Sequence, residues 1–119
     1  MLISARYDAC VPASPQSLAR PLDAELLRVL ADPRRAQIVT LLAAEQLCTC
    51  HLVELTGASQ SNVSNHLRLL REAGVVQAEA AGRFTYYQLV PERLDELAAA
   101  LSGLAVLASE GATRKRPCS

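Results

Sequence analysis

The chain has 119 residues, half of them hydrophobic and 3% aromatic, with twelve basic residues balanced by twelve acidic ones. A chain of that size makes one domain with a Leu, Val and Ala core, small enough that pairing with a second copy helps bury its apolar surface. The neutral balance excludes an indiscriminate polyanion binder without excluding a local basic surface. No apolar run approaches bilayer length, and Arg6 and Asp8 interrupt any signal-peptide core, so a cytoplasmic protein with no membrane partner is expected.

Residues 1–20 contain Pro12, Ser14, Pro15 and Ser17 with little periodicity and read as an irregular arm carrying Cys10. Leu22, Leu26, Val29 and Leu30 then follow helical spacing. Asp32-Pro33 marks a restart, with Asp as N-cap and Pro at the first helical position, ahead of a stripe of Ile38, Leu41 and Leu42. Cys50–Thr56 predicts a short helix carrying Leu52 and Leu55, and Gly57-Ala58 a tight turn. From the Ser59 cap to Gly74 runs a helix with two faces. Val63, Leu67 and Leu70 form a buried stripe, while Ser61, Ser64, Asn65 and Arg68 recur opposite, short hydrogen-bonding groups without an acid. Glu and Lys fill an ordinary solvated helix face better than Ser and Asn do. A helix lying in a DNA major groove supplies a cause, because base edges and phosphates are read by such groups. Helix, glycine-containing turn and polar-faced helix together form a helix-turn-helix.

Val75–Glu79 and Phe84–Val90 are β-prone runs whose link, Ala80-Ala81-Gly82-Arg83, makes a hairpin with Arg83 at its tip, placed to reach a phosphate or a minor groove. Pro91 opens a last helix with a long stripe of Leu94, Leu97, Ala98, Leu101, Leu104, Ala105 and Ala108, suited to burial against a partner as well as its own domain. The expected division is an arm over 1–20, a DNA-binding and dimerisation domain over 21–109, and a disordered basic tail over 110–119 holding Arg114, Lys115 and Arg116.

The four cysteines are Cys10, Cys48, Cys50 and Cys118. In a reducing compartment they suit metal binding or redox chemistry rather than stapling. In a regular helix Cys48 and Cys50 would diverge by about 200°; they converge if the backbone there is extended or only beginning to coil, with Thr49 as a plausible N-cap. A helix start also favours thiolate, and thiolates select soft ions. A third ligand is needed, Cys10 first and Cys118 second, from either subunit of a dimer. A disulfide switch using Cys48, Cys50 or Cys10 is the competing reading. Nothing points to an enzyme: there is no phosphate loop, nucleophile elbow or carboxylate pair, and His66 beside Ser64 fits a DNA face better than a catalytic dyad.

The order of elements is a mainly α (α+β) fold, a winged helix-turn-helix with N- and C-terminal dimerisation helices. Asp32-Pro33-Arg34-Arg35, Leu47-Cys-Thr-Cys-His-Leu52, Ser59-Gln-Ser-Asn-Val-Ser-Asn-His-Leu-Arg68, Glu72-Ala-Gly-Val75 and Gly82-Arg83-Phe-Thr-Tyr-Tyr-Gln-Leu89 resemble the ArsR/SmtB family of metal- and metalloid-sensing bacterial repressors over residues 22–108. The resemblance implies a homodimer on palindromic double-stranded operator DNA that leaves when an inducer binds. It assigns DNA contact to Ser59, Gln60, Ser61, Asn62, Ser64, Asn65, His66 and Arg68, with Arg83 from the wing. The Leu-Cys-x-Cys-x-Leu pattern looks like the arsenite-responsive inducer site, which takes As(III) or Sb(III) on thiols. Gln46 and His51 depart from it, standing where acids are usual, and His51 opens a mixed sulfur and nitrogen site for Zn(II), Cd(II) or Pb(II). The family's other metal site, along the last helix, is missing, since the histidines are His51 and His66 alone.

Overall fold

The computed structural model describes residues 21–118. Helix α1 spans Ala24–Ala31 and α2 spans Pro33–Ala44. Asp23 caps α1 by accepting the Leu26 N–H at 3.0 Å, and Asp32 caps α2 by accepting from Arg34 and Arg35 at 2.8 and 3.0 Å. These backbone donors, aided at Asp23 by the Arg93 guanidinium, hold both carboxyls below their ordinary range. Leu26 and Val29 are buried as the spacing predicts, but Leu22 precedes the Asp23 cap and is 41% exposed.

Helix α3, Thr49–Thr56, and helix α4, Gln60–Glu72, form the helix-turn-helix. Gly57 takes a left-handed φ of 76° and donates to Val53 O at 2.9 Å, the geometry that turns the chain between the two. Ser59 Oγ accepts the Asn62 N–H at 3.1 Å and so caps α4. At the other end Gly74, with φ 80°, donates to Arg71 O while Val75 donates to Leu70 O, which is a Schellman close. Val63, Leu67 and Leu70 are buried, and with Ile38, Leu42 and Leu52 they belong to the core. Leu55 corrects the expected apolar side of α3: at 52% exposed it faces away from the side that buries Leu52.

A three-stranded antiparallel sheet has the order β1-β3-β2, where β1 is Leu47–Cys48, β2 is Val76–Ala81 and β3 is Phe84–Leu89. Ala81 pairs with Phe84, so the hairpin turns on two residues, Gly82 and Arg83, rather than on the four expected from sequence. The strand starts at Val76 because Val75 is still closing α4. Strand β1 was not foreseen: Leu47 pairs with Tyr87 and Cys48 with Tyr86, making an apparent interhelical junction the third strand of the wing.

Helix α5 spans Pro91–Glu110. Asp23–Asp95 is one compact unit, and α5 from Glu96 onward belongs to a second. Within the first unit Arg93 donates to Ala73 O at 2.9 Å and to Asp23 Oδ2 at 2.7 Å, joining the end of α4 to the cap of α1. In the second, Leu97 and Ala100 are buried, whereas Leu101, Leu104, Ala98, Ala105 and Ala108 of the expected stripe stay exposed. Among the described residues no helix is long and apolar enough to cross a membrane.

Candidate functional site

The sulfur pair owes its geometry to strand β1. Pairing with Tyr86 keeps Cys48 extended, at φ −90° and ψ 171°, so Cys48 and not Thr49 is the N-cap of α3. Cys50 already lies in the first helical turn. The abrupt change from strand to helix removes the divergence that a continuous helix would impose on i and i+2 side chains. The two sulfurs consequently stand 2.7 Å apart, and His51 Nδ1 stands 3.2 Å from Cys48 Sγ. His51 Nδ1 also accepts the Cys48 backbone N–H at 3.3 Å. A nitrogen that accepts that bond is unprotonated, and its one lone pair, engaged by the Cys48 N–H, would have to leave that donor to reach an ion beside the two sulfurs. Among the described residues Cys48, Cys50 and His51 form a group whose ligand atoms all lie within 4.8 Å of one another.

Cys48 is buried, Cys50 exposed and His51 half-buried. Burial pushes the Cys48 thiol up, but the hydrogen bond from Cys50 and the backbone N–H groups at the helix start outweigh it, and the net direction is down. Cys50 moves up, because it is the donor to Cys48 and a second charge beside the first is resisted. The pair therefore holds one thiolate more readily than two. A cation removes that resistance. Two thiolates on a tetrahedral zinc with bonds of about 2.3 Å lie about 3.8 Å apart, so this pair, at 2.7 Å, would have to open by roughly 1 Å to hold such an ion. The His51 ring also lies 6.3 Å from that of Tyr86, centroid to centroid, which places the group against the wing strand.

The polar face of α4 is open. Ser59, Gln60, Ser61, Asn62, Ser64, Asn65 and Arg68 are exposed along it, and Arg83 is exposed at the hairpin turn. His66 differs: it is half-buried, with Nδ1 3.1 Å from Arg35 Nη1. Arg68 is held on its own helix, donating to Asn65 Oδ1 at 2.7 Å and to Glu72 Oε2 at 2.9 Å. The face thus ends in an acid, Glu72, which its upper part lacks. An exposed pair of this kind contributes at most about 1 kcal/mol, so it holds Arg68 only loosely.

Cys48 and Cys50 are brought together as expected. Cys10 lies outside the described residues, and Cys118 is an exposed free thiol. His51 stands beside the sulfurs, where its departure from the family pattern had opened a mixed site, and Tyr86 gains a role that spacing did not give it. The signal for His51 was its place three residues after Cys48, the spacing of a capping box. Arg34 and Arg35, part of the family-like Asp32-Pro33-Arg34-Arg35 motif, have partners that the motif does not announce. Arg34 Nη1 in fact donates to Thr56 O at 2.8 Å, tying α2 to the end of α3, and Arg35 Nε donates to Val29 O at 2.6 Å.

Residues 32–78 match the family model described as bacterial regulatory protein, arsR family. The HTH-type transcriptional repressor SmtB of Mycobacterium tuberculosis is 41% identical over 91 residues, 75% of this chain and 67% of that protein. The crystal structure of a possible transcriptional regulator for arsenical resistance is 35% identical, covers 77% of this chain and 98% of its own, and superposes with a TM-score of 0.62. A homodimeric winged helix-turn-helix DNA-binding domain from Mycobacterium bovis, solved by NMR, is 26% identical with 79% and 86% coverage and a TM-score of 0.58. Curated relatives are spanned over 56% to 84% of their own lengths.

Proposed function

The chain belongs to the ArsR/SmtB family of bacterial regulatory proteins, and on that premise we propose that it is a homodimeric repressor released from its operator by As(III) or Sb(III). The family is one of DNA-binding transcriptional regulators, not enzymes, and the winged helix-turn-helix is in place. What carries the proposed inducer is the convergence of Cys48, Cys50 and His51 at the start of the first helix of the helix-turn-helix. Thiolates prefer thiophilic ions, and Cys10 is the proposed third sulfur.

In this reading Ser59, Gln60, Ser61, Asn62, Ser64, Asn65 and Arg68 meet the major groove, His66 supports them, and Arg83 reaches the backbone or minor groove. Two copies place two such helices about one helical turn apart on a palindrome. The exposed Leu101 and Leu104 of α5 offer apolar surface to a second copy, and the Mycobacterium bovis relative is homodimeric.

Ion capture spreads the Cys48 and Cys50 sulfurs. Because Cys48 is both the cap of α3 and a rung of the wing, that spreading re-aims the helix-turn-helix and the hairpin together. A preference for the DNA-incompatible arrangement of a few kcal/mol suffices.

Replacing Cys48 and Cys50 with Ser keeps duplex affinity within about twofold and abolishes release by arsenite, read by gel shift on DNA selected by the wild-type chain. Normal release from the double variant sinks the assignment. The position of His51 favours one second reading, a mixed sulfur and nitrogen site for Zn(II), Cd(II) or Pb(II). His51→Ala separates the two: it leaves an arsenite response intact and weakens a zinc response.

A further inference from the structure

The first turns of α2 and α4 border an open cleft of about 670 Å³ whose polar lining comes from Asp32, Arg34, Gln37, Ser59, Asn62 and His66. The direction of each hydrogen bond around it gives the cleft a sign. A guanidinium only donates, so the Arg35 contact at 3.1 Å makes His66 Nδ1 the acceptor and leaves the proton on Nε2. Gln37 accepts from Arg34 Nη1 through Oε1 at 3.0 Å, which leaves its amide NH2 to donate. Arg34 spends Nη1 on Gln37 and on Thr56 O, and its Nε and Nη2 make no hydrogen bond to a described residue. Ser59 Oγ accepts from Asn62 N and shares a 3.3 Å contact with Ser61 Oγ in which either hydroxyl can donate. Asp32 is the one acid, and its Oδ1 is taken by the N–H groups of Arg34 and Arg35. The wall is therefore rich in donors and poor in open acceptors, and it lies beside the first turn of the helix whose polar face is exposed.

We propose that this cleft grips a backbone phosphate of duplex DNA, at the edge of the groove that α4 enters, with Arg34 and Gln37 as donors outside the helix-turn-helix. The inference rests on the DNA-binding reading and adds to it a contact that fixes register rather than sequence. Phosphodiester fits better than a free phosphate. The Asp32 carboxylate repels a dianion more than the single charge of a diester, and the fixed Arg34 guanidinium suits one phosphate held at a set distance from the reading helix.

The test uses the full chain and a duplex selected by the wild type from a randomised pool. Gln37→Glu puts a carboxylate among the donors while leaving α2 exposed where it was exposed; Asn62→Asp does the same from the α4 side. Each is expected to weaken binding about tenfold, the scale of one hydrogen bond to a charged group, and to flatten the salt dependence of log K by about 0.9 per lost phosphate contact. A scan with neutral methylphosphonates locates the phosphate. One flanking substitution costs the wild type about tenfold and the Gln37→Glu variant less than twofold. Equal salt slopes and identical scan profiles for wild type and both variants overturn the cleft while duplex binding by the wild type keeps the DNA reading. A wild type that binds no duplex removes both.

Discussion

Helix α4 and the Leu47–His51 junction are separated by eight residues and are specified in opposite ways. In α4 the cap, the buried stripe and the glycine close all lie within the sixteen residues from Ser59 to Gly74, so its shape is decided locally. The junction has no such signals. Its extended backbone is imposed from β3, some forty residues further on, through the pairing of Cys48 with Tyr86. A self-specified helix keeps its shape whatever its neighbours do. A segment whose conformation is lent by a distant strand is the better place for a small ligand to compete.

That contrast can be attacked by removing what each side relies on. The largest effect is expected from Leu67→Ala, which empties a side chain only 2% exposed beneath the polar face. The loss is about 2–5 kcal/mol, seen as a lower urea midpoint, and an unchanged midpoint would show that α4 does not depend on its stripe. Ser59→Ala comes next. It removes the bond to Asn62 N, costs about 1 kcal/mol, and lowers the melting temperature by a few degrees. The smallest effect concerns the junction and is one of pH. Because the Cys50 side chain beside it holds the Cys48 thiol down, Cys50→Ala removes that stabilisation of the Cys48 thiolate. The thiolate absorbance near 240 nm should then appear at higher pH than the first step of the wild type. A step that stays in place or moves down breaks the link between the two sulfurs.

The same contrast explains what could be read in advance. Asp32-Pro33, Ser59 with Val63, Leu67 and Leu70, and the glycines at 57 and 74 announce helices and their ends through local chemistry, and the structure has them there. The hairpin was foreseen but its turn was overestimated, because Ala80 and Ala81 carry no strand signal and are held by pairing with Thr85 and Phe84. Leu47-Cys48 is too short for a period, so no strand was expected. The convergence of the sulfurs was visible only as a condition, an extended backbone at that point, and the strand that meets it belongs to the wing. Leu55 lies at helical spacing from Leu52 and is nonetheless exposed, since an eight-residue helix buried on one side has no second surface to cover it. The cleft beside Arg34 and Gln37 depends on two helix starts separated by more than twenty residues, a proximity that no local pattern reports.

Strand β3 is hydrogen-bonded on both flanks, so Cys48, Tyr86 and Glu79 stand in a single rank across the sheet. On the proposed mechanism the ease with which that rank yields sets the inducer dose at which the gene opens. Glu79, exposed on the far rim and away from the sulfurs, then becomes a dial for that threshold, adjustable by mutation without altering what is sensed.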